Sequence, residues 1–294
     1  MNLRQAVASN VRKTWLIIFL FAIFISAIGY VYGKSLGDLG LPYAGLALFI
    51  ATTTGIGSYF YSDKLVLATT GAKQVQLNDQ PELYRLVENL SIGAGLPLPK
   101  IYVINDGAPN AFATGRDPKH AVIAVTTGLL ERLTKPELEG VIAHELSHVK
   151  NFDIRLMGIV AILVGSIAML GDIYLRGSLF GRGGKNGGNI FVLVGLVLAL
   201  LSPLIATIMQ LAISRKREYL ADASGALLTR YPEGLANALE KIAGYPIPLQ
   251  KATNATAHLF IANPFKDKTS SHLFSSLFNT HPPIEERIKL LRNM

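Results

Sequence analysis

The sequence predicts a mainly α-helical integral membrane protein, with about four transmembrane helices and an α+β domain in the aqueous phase that contains a small sheet. Two observations predict this fold class. Half of the 294 residues are apolar and only 16% are charged, against about 25% charged residues in typical soluble domains. The apolar residues are also concentrated in four long stretches, each close to the length of about 20 residues that a membrane-spanning helix needs.

These stretches divide the chain into an N-terminal membrane anchor, a first aqueous segment, a hydrophobic hairpin and a second aqueous segment. We place the stretches at residues 15–31, 43–61, 156–175 and 190–213. The corresponding divisions of the chain are residues 1–62, 63–155, 156–213 and 214–294. The two aqueous segments are predicted to form one domain, which the hairpin interrupts.

A cleaved signal peptide is the alternative for the first stretch, because Arg4, Arg12 and Lys13 form a basic leader before it. However, the apolar run is longer than the core of a usual signal peptide. A second apolar stretch also follows after only a short connection, so there is no exported domain to release. An uncleaved anchor is therefore predicted.

The same basic residues set the predicted orientation. Cytoplasmic ends of membrane spans carry an excess of Lys and Arg, so the N-terminus and both aqueous segments are predicted to face the cytoplasm. The protein would then be a multi-pass protein of the cell membrane (inner or plasma membrane). The loop 176–188 opposes this scheme, because it carries three basic residues and no acidic one. Asp172 lies inside the third stretch, where a charge is costly, so the hairpin is predicted to span the membrane fully or in part.

Charge and cysteine content exclude several classes of partner. The net charge is +8, but the basic residues lie near span ends and form no stripe interleaved with aromatic residues. The lipid bilayer is therefore a predicted partner and nucleic acid is not. The chain has no cysteine, which excludes disulfides, iron–sulfur clusters and thiolate ligands. A metal site in this chain must use His, Asp or Glu.

Residues 134–150 predict a helix with a metal-binding pattern. Thr134 and Glu137 have the spacing of a capping box, and apolar residues follow at helical intervals. His144 and His148 then lie one turn apart on one helix face, where both imidazoles can meet one Zn²⁺ at about 2.0–2.1 Å. Glu145 lies beside them, placed to act on a water bound to the ion. The alternative is a pair of surface histidines beside a glutamate.

A second candidate helix opens the last aqueous segment with SRKREYLADASGALL, residues 214–228. A catalytic zinc ion needs three protein ligands and one open position, and Glu218 is the candidate for the third ligand. Asp222 lies one turn further on the same face, where it can accept the N–H of a ligating imidazole and so determine its tautomer. The alternative is a solvated face of salt bridges with the neighbouring basic residues.

Three motifs together resemble the HtpX family of membrane zinc endopeptidases, which are relatives of the CAAX prenyl endopeptidases. The motifs are HELSH at 144–148, SRKREYLAD at 214–222 and NAFATG at 110–115. The resemblance covers nearly the whole chain. It implies a zincin-like protease domain facing the cytoplasm and one zinc ion per chain.

The resemblance further implies that His144, His148 and Glu218 bind the zinc ion and that Glu145 is catalytic. It implies a role in protein quality control under stress, in which misfolded or damaged membrane proteins are cleaved at the cytoplasmic face. The alternative is a non-catalytic membrane chaperone or scaffold that keeps a structural zinc. Glu145 discriminates between the two, because a purely structural site has no need of a carboxylate between its histidine ligands.

The predicted reaction is hydrolysis of a peptide bond. Zinc lowers the pKa of its bound water and polarises the carbonyl, while Glu145 takes the proton of the water and passes it to the leaving amine. The developing oxyanion needs a further donor. His281, in NTHPP, is the candidate, because the proline that follows favours an extended backbone that could project the ring into a cleft. An ordinary loop histidine is the alternative.

Substrate contact is predicted on the strand 120–126. As an edge strand it could pair with the backbone of a substrate, which makes Ala121 and Ile123 candidate contact residues. An interior strand is the alternative. Asn110 and Ala111, in the motif shared with the family, are placed in the wall of the cleft.

Overall fold

The computed structural model describes residues 3–35, 38–180, 215–253, 255–265 and 282–294. The helices before the long gap are α1 (Leu3–Ser35), α2 (Gly40–Thr70), α3 (Pro81–Ala94), α4 (Thr127–Arg132), α5 (Lys135–Lys150) and α6 (Asp153–Phe180). The helices after it are α7 (Arg215–Thr229), α8 (Pro232–Gly244) and α9 (Ile284–Arg292). The strands are β1 (Lys73–Gln74), β2 (Lys100–Ile104), β3 (Ala111–Thr114) and β4 (Val122–Thr126).

Helices α1 and α2 form an antiparallel hairpin from the first two apolar stretches. Two glycines of α1 permit close packing: a Cβ at Gly29 would lie 2.7 Å from the carbonyl oxygen of Tyr43, and one at Gly33 would lie 2.3 Å from that of Leu39. Two segments, Ala8–Val31 and Gly40–Thr70, are long and apolar enough to cross a membrane. Both helices extend beyond the predicted stretches, since the polar residues that flank each apolar run are also helical.

The outer face of this hairpin exposes large apolar side chains. Phe19, Ile23 and Phe49 are each more than half exposed. Nearer the start of α1, Trp15 stacks on Tyr59 with a centroid distance of 6.1 Å. Aromatic residues of this kind concentrate where a span meets the aqueous interface. The hairpin therefore presents an apolar surface suited to lipid, with an aromatic pair that marks one end of it.

The third apolar stretch forms part of α6, and its first half is covered by protein. Leu156, Ile159, Val160 and Leu163 are at most 1% exposed and pack against apolar residues of α1 and α2. The fourth stretch, 190–213, and most of the loop 176–188 lie outside the described residues. Of the four predicted spans, the described part of the chain therefore contains two candidates and one partly buried helix.

The four strands form one sheet in the order β1-β2-β4-β3, with β4 parallel to β2 and antiparallel to β3. The prediction of an edge strand at 120–126 is wrong, because β4 pairs on both sides. Ile123 lies between Ile101 of β2 and Ala113 of β3, and the Ala121 carbonyl oxygen already accepts from the Lys100 N–H, so neither residue offers a free strand edge to a substrate backbone. The continuous apolar run AVIAV is typical of a strand buried on both faces. The edge strand on this side is β3, which carries the NAFATG motif.

Candidate active site and metal centre

Helix α5 carries the HELSH sequence and begins at the predicted capping box. The backbone N–H of Thr134 donates to Glu137 Oε2 at 2.7 Å, and Lys241 on α8 donates to the same oxygen at 2.7 Å. This arrangement anchors the start of α5 against α8. His144 and His148, further along α5, are only 1% and 4% exposed. The alternative of two surface histidines is therefore wrong.

Three side chains from α5 and α7 converge on one point. The ligand atoms of His144, His148 and Glu218 all lie within 4.8 Å of one another. The two Nε2 atoms are 3.2 Å apart. Glu218 places Oε1 3.5 Å from Nε2 of His148 and Oε2 3.9 Å from Nε2 of His144. The structure thus brings together the three residues that the sequence predicts as ligands.

Close contact between α5 and α7 makes this convergence possible. Gly225 of α7 lies directly on α5, where a Cβ would be 2.9 Å from the backbone nitrogen of His144. A larger residue at this position would hold the two helices apart. Glu218 and Asp222 are 2% and 3% exposed on the face of α7 that meets α5. The alternative of a solvated salt-bridge face on α7 is therefore wrong.

A carboxylate lies behind each imidazole. His144 Nδ1 is 2.9 Å from Asp222 Oδ1, and His148 Nδ1 is 3.0 Å from Asp153 Oδ2. The hydrogen bond between His148 Nδ1 and Asp153 holds the proton on that nitrogen, so the Nε2 lone pair can point to the centre of the cluster. Asp222 lies close enough to His144 Nδ1 to act in the same way, although the present geometry does not meet that of a hydrogen bond. Asp222 lies where the sequence predicts it. Asp153, by contrast, was not predicted, because it follows a turn whose path the sequence does not indicate.

Arg287 on α9 is a further residue that sequence reasoning missed. Its side chain is fully buried and donates to both oxygens of Asp222, from Nε at 2.8 Å and from Nη2 at 2.7 Å. Nη1 donates to the carbonyl oxygen of Ile261 and lies 3.7 Å from Glu218 Oε2. Arg287 therefore compensates the charge of two buried carboxylates.

The sequence did contain a signal for Arg287. The amphipathic pattern of the last helix puts Ile284, Ile288 and Leu291 on one face, and residue 287 falls on that same face by helical spacing. An arginine on the apolar face of a helix is almost never buried without a charged partner. Such a position predicts an acidic residue elsewhere in the fold.

The residues of the cluster fit a bound metal cation. Two tetrahedral ligands at about 2.0–2.1 Å from a zinc-sized ion lie about 3.3 Å apart, close to the spacings of 3.2–3.9 Å between these ligand atoms. Both imidazoles offer lone pairs, and Glu218 offers only acceptor oxygens. Acceptors that face one another at this distance repel unless a cation lies between them.

The electrostatics of the cluster also favour positive charge. Burial alone would lower the pKa of His148, but the hydrogen bond to Asp153 and the charges of Glu218 and Asp153 raise it to about 9, so that without a metal ion a proton takes the position on Nε2 that the cation would occupy. Burial lowers the pKa of His144. Burial would raise the pKa of Asp222, yet the charge and hydrogen bonds of Arg287 lower it to about 2. Asp222 is therefore ionised at neutral pH and available to His144.

Glu145 lies beside the cluster and is 2% exposed. Burial is the largest of the causes that raise its pKa to about 7, and the charge of Glu218 acts in the same direction. The backbone N–H of Ala113 on β3 faces the carboxylate and lowers its pKa in part. Glu145 Oε1 has no hydrogen-bond partner among the described residues. This oxygen is thus available to a molecule that enters the site.

Asn110 and Ala111 hold β3 in place. The Asn110 side chain donates to the carbonyl oxygen of Ala262 at 3.1 Å and accepts from the Ala111 N–H at 3.0 Å. The Ala111 carbonyl oxygen accepts from the N–H of Ile261 at 2.9 Å. Both predicted cleft residues therefore serve contacts within the protein. His281, the predicted oxyanion donor, lies outside the described residues.

The HExxH helix, the cluster of three possible ligands and the two helices able to span a bilayer define a class, the membrane-bound metalloendopeptidases. The profile of peptidase family M48 matches residues 77–294. The chain belongs to peptidase family M48.

Similar proteins match along essentially the whole chain. A protein named Protease HtpX homolog from Caldanaerobacter subterraneus subsp. tengcongensis is 48% identical over 302 residues, which cover 100% of this chain and 98% of that protein. One of the same name from Dictyoglomus turgidum is 47% identical over 293 residues, covering 99% and 94%. The resemblance inferred from the three motifs is confirmed.

A solved structure shows the same fold at lower identity. The crystal structure of S. mikatae Ste24p matches with a TM-score of 0.50 and 20% sequence identity. The match covers 98% of this chain and 66% of that chain. The chain therefore has a fold like that of Ste24p.

Proposed function

We propose that the protein is a zinc-dependent endopeptidase that cleaves misfolded or damaged membrane proteins at the cytoplasmic face of the cell membrane. One observation carries the zinc-peptidase part of the proposal: His144, His148 and Glu218 converge with a carboxylate behind each imidazole, while Glu145 lies beside them with one oxygen unengaged. The donor set of two imidazoles and one carboxylate on an HExxH helix is typical of catalytic zinc in a zincin-like domain.

In the proposed mechanism, each residue of the site has a separate role. Zinc, when bound, supplies a Lewis acid that acidifies water and polarises a carbonyl. Glu145 accepts the proton of the attacking water and delivers it to the leaving amine. Burial raises the pKa of Glu145 to about 7 in the cluster without an ion, and the positive charge of a bound zinc ion would lower it, which favours the ionised carboxylate that accepts a proton. Asp222 and Asp153 keep the two imidazoles in the tautomer that binds metal.

The substrate backbone is proposed to lie along β3 at Ala113. This strand forms the edge of the sheet, and its Ala113 N–H already faces Glu145. Pairing with a strand edge uses backbone groups that every polypeptide has. Recognition of this kind tolerates many sequences, which suits an enzyme whose substrates share a loss of structure. His281 remains a proposed oxyanion donor.

The zinc dependence can be tested with Glu218→Gln. We expect the wild-type protein to hold one zinc ion per chain, and the variant to bind zinc at least about 100-fold more weakly, because a charged ligand becomes a neutral one. The measurement is competition with a chromophoric chelator. Tyr219→Phe is the control on the same helix as Glu218, because it removes a hydroxyl that hydrogen-bonds Glu286 of α9. Equal zinc affinity in Glu218→Gln and wild type would contradict the assignment of the third ligand.

The orientation can be tested with single cysteines, since the chain has none of its own. Leu41, at the start of α2, is 79% exposed, and Glu131 on α4 is also exposed. We expect a membrane-impermeant maleimide to label Leu41→Cys in intact cells and Glu131→Cys only after the membrane is opened. Labelling of Glu131→Cys from outside would place the active site on the other side of the membrane.

A further inference from the structure

We propose that Asn10, on the membrane-anchoring helix α1, is a positioning residue for the metal ligand His148 and acts through Asp153. The cytoplasmic end of the anchor is thereby part of the active centre. This inference rests on the proposed function, in which His148 binds zinc.

The Asn10 amide is hydrogen-bonded to α6, to α7 and to the residue that follows α5. Asn10 is 4% exposed. Its Nδ2 donates to Asp153 Oδ1 at 2.7 Å and to the carbonyl oxygen of Asn151 at 3.0 Å. Its Oδ1 accepts from Arg217 Nη1 at 3.2 Å. The reverse orientation of the amide would turn its oxygen toward two acceptors, so these partners determine the orientation.

Asp153 transmits this contact to the metal cluster. Its side chain is buried, with Oδ1 bound by Asn10 and by Arg217 Nη1 at 3.2 Å, while Oδ2 lies 3.0 Å from His148 Nδ1. A carboxylate held at one oxygen presents the other in a fixed direction. The orientation of the His148 ring therefore depends on the contacts of Asp153 with α1.

The backbone at this point also needs support. Phe152, between α5 and α6, has a φ of 59°, in the left-handed region that a bulky side chain enters only with strain. Asn10 binds the carbonyl oxygen of Asn151 directly before it, and Asp153 follows directly after it. The same amide thus holds both sides of the turn that delivers Asp153 to His148.

The location of Asn10 indicates a function beyond packing. It lies at the start of the candidate span Ala8–Val31, where a buried amide is costly unless its hydrogen bonds are made. Arg217, its third partner, directly precedes the ligand Glu218 on α7. Asn10 therefore contacts Asp153, which is hydrogen-bonded to the ligand His148, and Arg217, which precedes the ligand Glu218 in the chain.

The test compares Asn10→Ala with Thr14→Val in the purified full-length protein. Thr14 is buried one turn further along α1 and donates only to the carbonyl oxygen of Asn10, at 2.9 Å. We expect Asn10→Ala to bind zinc about 10–100-fold more weakly than wild type, the usual effect of losing a partner behind a ligand, and Thr14→Val to bind it normally. Competition with a chromophoric chelator gives the dissociation constants. The visible spectrum of the Co²⁺-substituted protein should shift in Asn10→Ala alone, because it reports ligand geometry.

A double-mutant cycle tests the route through Asp153. Asp153→Asn should weaken zinc binding by itself, and adding Asn10→Ala should cause a smaller loss than Asn10→Ala causes in the wild type, since the part of its effect that passes through the Asp153 contact with His148 is already lost. Asn10→Ser, which keeps one donor, takes the place of Asn10→Ala in the cycle if the alanine variant does not fold. Zinc affinity equal to that of Thr14→Val, or effects of the two changes that multiply, would overturn the inference. Failure of the wild-type protein to bind zinc would instead overturn the proposed function.

Discussion

Replacement of Glu145 by alanine should abolish most of the peptidase activity and leave the metal site intact. We expect kcat to fall by about 10²–10⁴-fold, the usual contribution of a general acid–base group. The three ligand side chains do not include Glu145, and the cluster of His144, His148 and Glu218 is held by its own carboxylate and arginine partners. Zinc content should therefore stay near one ion per chain.

The measurement is hydrolysis of an unfolded model protein, with zinc content determined on the same sample. Glu145→Gln serves as a second variant of almost unchanged shape. Ser147→Ala is the matched control, because Ser147 is buried on the same helix and donates only to the carbonyl oxygen of Ala143, at 2.9 Å. Undiminished proteolysis in Glu145→Ala would defeat the mechanism. Loss of zinc along with activity would show that Glu145 has a structural role.

Replacement of Arg287 by alanine should cause the largest loss of stability. The substitution leaves the buried carboxylate of Asp222 without its bidentate partner. It also removes the positive charge that lies 3.7 Å from Glu218 Oε2. Removing one member of a buried ion pair lowers the free energy of unfolding by about 3–5 kcal/mol. We therefore expect a marked fall in the unfolding temperature of the metal-free protein and, with it, weaker zinc binding.

Arg292→Ala is the control on the same helix. Arg292 also contacts acidic residues, Glu233 at 3.2 Å and Glu240 at 2.8 Å, but these pairs are exposed to solvent, where ion pairs contribute little. Thermal unfolding of both variants should separate them clearly. Arg287→Lys should be intermediate, because a lysine keeps the charge and cannot bind both carboxylate oxygens at once. A loss in Arg287→Ala no larger than in Arg292→Ala would contradict the role of Arg287.

The spacing of residues a few positions apart predicted the start of α5 and the side chains that share a helix face. The capping box at Thr134 located α5, and intervals of four residues placed His144 with His148 and Glu218 with Asp222 on common faces. Each of these inferences uses only helical geometry. The convergence of the two helices was expected because one helix runs into the hydrophobic hairpin and the other leaves it, so that the hairpin returns the chain to the same membrane surface; the resemblance of the motifs supports this expectation.

The features that sequence reasoning missed depend on contacts between distant segments. Strand order is such a feature: the run 120–126 fits an edge or an interior strand equally well until β2 and β3 are seen on either side of it. The third apolar stretch is another, because burial by protein and burial by lipid both favour apolar residues. Asp153 was missed for a different reason, since Phe152 adopts a left-handed backbone conformation that a glycine or asparagine would indicate and a phenylalanine does not.

The contact between Asn10 and Asp153 has a consequence for where the enzyme can act. Asn10 and the interfacial Trp15 lie five residues apart on one continuous helix, which at 1.5 Å per residue corresponds to about 7.5 Å along its axis. The metal cluster is thus connected to the membrane anchor through a side-chain contact on a continuous helix, without a flexible linker. Under the proposed function, the depth of α1 in the bilayer sets the distance of the metal cluster from the lipid.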